Sequence, residues 1–103
     1  MSENSLYYHL SYSKRVIESL QAIAKRSVGV WKQEEVRLAI ERMHAWLRAD
    51  PETLGEPFRD HVHMRQTEYL GFSGPLVVRY NVHLSSQTVF VLAPIRFARW
   101  AGF

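Results

Sequence analysis

The sequence predicts an α+β domain, a helical hairpin packed on an antiparallel-rich sheet in the order strand, helix, helix, strand, strand, strand. Three observations carry this. Apolar residues recur every three or four positions through the first half of the chain and every second position through the last third. A Pro- and Gly-containing polar stretch at 51–60 separates the two regimes. One alternating aromatic segment precedes the helices, so the sheet draws a strand from each end of the chain.

The first strand is expected over 6–12, where Leu6, Tyr8 and Leu10 alternate with Tyr7, His9 and Ser11. Ser13 offers an N-cap to a helix ending near Gly29. Its apolar stripe is Val16, Ile17, Leu20, Ile23 and Ala24, with Lys14, Arg15, Glu18, Gln21 and Lys25 opposite. A second helix over 32–49 carries Val36, Ile40, Met43 and Leu47, widened by Ala39 and Trp46. Glu34 and Glu35 at its start and Arg48 at its end suit the helix dipole, and Pro51 stops it by disfavouring a helical Asp50. The short connection near Gly29 makes the two helices an antiparallel hairpin.

After the loop, Val62, Met64, Gln66 and Glu68 alternate with His63, Arg65, Thr67 and Tyr69, a strand reaching Leu70. Residues 71–75 read as a turn and 76–84 as a half-buried strand whose polar side carries Arg79, Asn81 and His83. A short hairpin at 85–87 leads to 88–95, apolar on both faces and so expected to be the most buried strand, ended by Pro94.

At 103 residues, with 47% apolar and 22% charged side chains, the chain is one domain over 1–103 able to bury its own core, and disorder is excluded. The lack of cysteine removes disulfides, thiolate metal sites and cysteine nucleophiles, and fits a cytoplasmic protein. No export signal and no apolar run long enough for a membrane span is found. The formal charge is +3, and ten of the thirteen cations are Arg. Arginine's planar fork grips phosphate and carboxylate in two-pronged fashion, which points to nucleic acid, RNA among them, or an acidic peptide as partner.

His61, His63 and Arg65 stand two apart, so on a strand they share one face. With Arg79 and Arg96 they form a candidate catalytic set, since phosphodiester cleavage needs a base, an acid and cations on the phosphoryl oxygens. The other readings are a solvated edge-strand face for the histidines and an ion pair with Glu68 or Glu56 for Arg79. Only Asp60 stands near the histidines, so no metal site and no cofactor is expected. Arg59, Arg79, Arg96, Phe97, Arg99 and Trp100 are candidate partner-binding residues, because Arg and aromatics dominate binding hot spots. Tyr7, Tyr8, Trp31 and Trp46 read as core or interface residues.

Several segments together carry a family resemblance. They are a first strand running straight into a helix (Ser11 to Ala24), Asp50-Pro51 followed by Leu54-Gly55-Glu56-Pro57-Phe58, and Arg79-Tyr80 followed by Val82 in the final hairpin. In this order the chain resembles the RelE/ParE superfamily of type II toxin–antitoxin systems, also known as plasmid stabilisation proteins. The resemblance implies a toxin bound by an antitoxin protein, with either ribosome-bound messenger RNA or DNA gyrase as target. Edge strands and surplus apolar surface permit a homodimer without requiring one. The RNA-cleaving branch carries paired lysines on the strand after the loop, where this chain has His61, His63 and Arg65, and a Gly-Tyr-Arg strand start, where it has Gly74-Pro75-Leu76. Arg96 matches that branch's cation after the last strand. The balance points to the gyrase-poisoning branch or a degenerate relative, with the endoribonuclease as alternative and a non-toxic interaction domain as a third reading.

Overall fold

A computed structural model describes residues 7–29 and 32–98. The chain runs β1 (His9–Tyr12), α1 (Lys14–Gly29), α2 (Gln33–Ala49), a single turn α3 (Pro51–Leu54), β2 (Gly55–His61), β3 (Gln66–Ser73), β4 (Leu76–His83) and β5 (Thr88–Phe97). The strands form one sheet in the order β1-β5-β4-β3-β2, antiparallel except for β1, which lies parallel to β5. The helical hairpin covers one face, and the α+β class is the one the hydrophobic periods predict.

The core lies between hairpin and sheet. Val16 and Ile23 of α1 and Val36, Ala39, Met43 and Leu47 of α2 meet Tyr69, Leu76, Val78, Tyr80, Val82, Val89, Val91 and Ile95. Of the expected α2 stripe, Val36, Ala39, Met43 and Leu47 are buried and Ile40 partly so, while Trp46 is exposed. That of α1 is rotated: Ile17 and Ala24 face outward, and Ser27 is buried, its hydroxyl donating to the Ala24 carbonyl. Ser13 caps α1 as expected, its Oγ accepting from the Val16 amide at 3.2 Å. At the base of the core Tyr80 stacks on Tyr69 at 5.4 Å and donates to the Pro51 carbonyl at 2.5 Å. Burial pushes the Tyr80 hydroxyl well above the ordinary tyrosine value.

Four expectations are corrected. The stretch 51–60 is no loop: its first turn is α3, and the rest is β2, an exposed edge strand with Pro57 beside an irregularity in its pairing. An edge strand is held by backbone hydrogen bonds on one side, so it needs neither an apolar face nor the absence of proline. Gly55 lets it approach, since a Cβ there would stand 2.5 Å from the Leu70 carbonyl oxygen. Secondly, 62–64 is a 3-10 turn joining β2 to β3, and Arg65 closes it at φ 53. The period-2 pattern ran on through this turn by coincidence, and Val62, read as the start of a strand, is 77% exposed.

Thirdly, β3 extends to Ser73, so the turn before β4 is only Gly74 and Pro75, with Gly74 at φ 51, where a side chain would be strained. Finally, β5 is buried on one face alone. Val89, Val91 and Ile95 enter the core, Phe90 and Pro94 face outward, and the strand runs past Pro94 to Phe97. Pro94 is tolerated because the β4 register shifts between Leu92 and Arg96, a bulge where no ladder hydrogen bond is required of it. The start of the first strand at Leu6, and Trp31, Arg99 and Trp100, lie outside the described residues.

Candidate functional site: the open face of the sheet

Residues paired across neighbouring strands project to the same side, and the register therefore lays out the face that the helices leave uncovered. One row across it is Arg59, Glu68, Asn81, Phe90 and Ser11. The next is Glu56, Leu70, Arg79 and Leu92, and beyond it come Phe72, Val77 and Arg96. On the other flank lie His61 and Gln66, with His83, Thr88 and His9. Cations and apolar side chains thus interleave, and Phe72, Leu70 and Phe90 are exposed large hydrophobics.

Glu68 is the hub. It is 2% exposed, and its carboxylate accepts from Arg79 Nε at 3.1 Å, Arg79 Nη2 at 2.9 Å and His61 Nε2 at 3.0 Å. Burial alone would raise this carboxyl. The hydrogen bonds from His61 and Arg79, with the charges of Arg79 and Arg59, outweigh it and hold the group below the ordinary carboxylate range. The Arg79 side chain remains 43% exposed, so it can also meet a partner. Beside the hub Asn81 Nδ2 donates to Gln66 Oε1 at 3.1 Å, while Asn81 Oδ1 is buried without a hydrogen-bond partner among the described residues.

The five candidate catalytic residues do not converge. His61 and Arg79 are joined through Glu68, while His63 and Arg65 stand exposed in the β2–β3 turn rather than on one strand face with His61. Arg96 is three rows and three strands from His61, roughly 20 Å along the strands and about 14 Å across them. Of the open readings of Arg79, the ion pair with Glu68 is the one formed. His61 and His63, with Asp60, line a cavity of about 420 Å³ next to that turn, and no metal-ligating cluster of three occurs among the described residues.

Of the partner-binding candidates, Arg59 stacks at 5.7 Å over Phe58 beside Glu68, and Phe97 packs toward the core with Arg26 over its ring. A second apolar feature lies on the helical side. There Tyr12, Ile17, Leu20, Ile40, Met43 and His44 line a groove of about 400 Å³. Trp46, read as apolar surplus on α2, is 43% exposed and donates to Thr53 Oγ1, whereas Ala39 is buried. Glu68 was visible in the sequence only as a partner for Arg79; its position between His61, Arg79 and Arg59 follows from strand order. The exposed trio Leu70, Phe72 and Phe90 carried no signal, because each stands in a segment that is elsewhere core.

No helix of the described residues is long and apolar enough to cross a membrane. Compared with known proteins, the chain matches no protein-family model and no curated protein.

Proposed function

We propose that this chain is the toxin component of a type II toxin–antitoxin module of the RelE/ParE kind, a gyrase poison or a degenerate relative working in the cytoplasm, neutralised by an acidic antitoxin on the open sheet face. The observation that carries this reading is that face: Arg59, Arg79 and Arg96 are interleaved with Leu70, Phe72 and Phe90, and no second layer of the described residues covers them. Exposed apolar area ringed by cations suits a peptide that is itself acidic and apolar.

The test is induced expression of the wild type and Arg79→Ala, with gyrase supercoiling and messenger RNA cleavage assayed in parallel. Growth arrest with lost supercoiling and intact messenger RNA is expected, relieved by co-expression of a short acidic open reading frame next to the gene. Arg79→Ala weakens the effect about tenfold or more, the worth of a charge-assisted hydrogen bond. If the wild type neither slows growth nor alters either assay, both toxin mechanisms fail and a non-toxic interaction domain remains.

One observation favours the endoribonuclease alternative. Glu68 holds the His61 ring as a carboxylate holds a catalytic base, with the Arg79 guanidinium on the same carboxylate. That reading requires His61→Ala to abolish messenger RNA cleavage. The distance to Arg96 weighs against it.

A further inference from the structure

The cleft between α1 and the end of β5 lies at the rim of the sheet, outside the hub of the open face. Its volume is about 260 Å³, and Ser19, Ala22, Ile23 and Arg26 of α1 and Pro94, Ile95, Arg96 and Phe97 of β5 line it. We infer that this cleft is a phosphate-binding site, taking the phosphate monoester of a nucleotide between Arg26 and Arg96.

The cleft is cationic. Among the described residues two arginines and no carboxylate line the cleft, and neither arginine has an ion-pair partner. Arg26 is held in place, its guanidinium lying 5.5 Å over the Phe97 ring, which orients the planar fork and lowers the entropy lost on binding. Arg96 lines the β5 wall of the same cleft and supplies the second charge. A carboxylate has two oxygens and one charge, whereas a phosphate monoester offers three oxygens and up to two charges to two forks. The partial negative charge at the end of α1 opposes an anion only within its last turn, and the full charge of Arg26 exceeds it.

Backbone chemistry decides against the other natural occupant, an added strand. β1 pairs with β5 only from Thr88 to Val91, so among the described residues the rest of β5 has no strand on that side. Yet Pro94 has no N–H to donate, and the Ile95 N–H is already given to Ser19 Oγ at 3.2 Å. A peptide strand finds no ladder there. The apolar wall of Ala22, Ile23 and Pro94 instead suits a sugar or base beside the phosphate.

The experiment titrates isotope-labelled full chain with adenosine 5′-monophosphate, inorganic phosphate and adenosine, and with a short oligonucleotide with and without a 5′-phosphate. Amide shifts centred on 19–26 and 94–97 are expected with the phosphorylated ligands and not with adenosine. Arg26→Ala and Arg96→Ala should each weaken the monophosphate about tenfold or more, whereas Arg42→Ala, on the exposed side of α2, leaves it unchanged. Both arginines are exposed, and an unchanged melting temperature verifies the fold. Binding of the monophosphate points to a free nucleotide, and binding of the phosphorylated oligonucleotide alone to a strand end; either sustains the site. No binding by the wild type, equal binding of the unphosphorylated forms, or binding indifferent to both substitutions overturns it. The outcome is independent of whether the protein is a toxin.

Discussion

Glu68 concentrates the electrostatics of the open face in one side chain, and its surroundings set how it responds to substitution and to pH. Glu68→Gln keeps the shape and removes the charge that Arg79 and His61 share, leaving a half-buried guanidinium without its counter-ion. The expected cost is about 1–3 kcal/mol, read by chemical denaturation at neutral pH. The sign of the pH effect follows from the lowered carboxyl. A group depressed in the folded state contributes stability that is present above its ordinary value of 4.5 and is lost as pH falls through the folded value. Wild-type stability should therefore drop on acidification below about that point, and Glu68→Gln should flatten the drop. An equal acid slope in both proteins would remove Glu68 from the account. Tyr80→Phe tests the second buried polar anchor: losing the bond to the Pro51 carbonyl should cost about 1 kcal/mol.

Among the elements, β2 depends most on contacts and least on composition. Its residues are mostly exposed, and its attachment is the ladder to β3 that begins at Gly55 opposite Gly71. Gly55→Ala puts a Cβ against the Leu70 carbonyl, and a backbone atom cannot swing away as a side-chain end can. A loss of about 1–3 kcal/mol is expected, with amide hydrogen exchange across β2 speeding up before that of β4. At the helices the reverse holds. Met43 is fully buried in the stripe that the sequence pattern picks out, so Met43→Ala should cost about 2–5 kcal/mol. The stripe of α2 was legible because its core positions face both sheet and hairpin partner. That of α1 was legible only to within a turn, because Ile17 borders the outer groove while Ser27 satisfies its own hydroxyl and fills a core position.

On the scale of the whole molecule, one layer of helices covers one face of a five-stranded sheet, and the described residues leave the other face to water or a partner. The paired change Leu70→Ser and Phe72→Ser tests which. Both side chains are exposed, so stability should move by only about 0.5 kcal/mol. Capture of an acidic antitoxin, measured by calorimetry, should weaken at least tenfold. A large loss of stability instead would mean that these side chains serve the fold rather than recognition.

What the sequence by itself determined was whatever depends on a repeating choice between water and core: two helices, the β4 strand, the Ser13 cap and the residues of α2 that are buried. Each of those decisions is made locally, by the side of the element on which an apolar residue falls. The tertiary structure alone decided that 55–61 pairs as an edge strand, that His63 and Arg65 sit in a turn, and that Glu68 draws His61 and Arg79 together while Arg96 stands far across the sheet. Backbone ladders on an edge and ion pairs between distant residues leave no periodic trace, since their energy resides in which segments meet and not in the character of either segment alone.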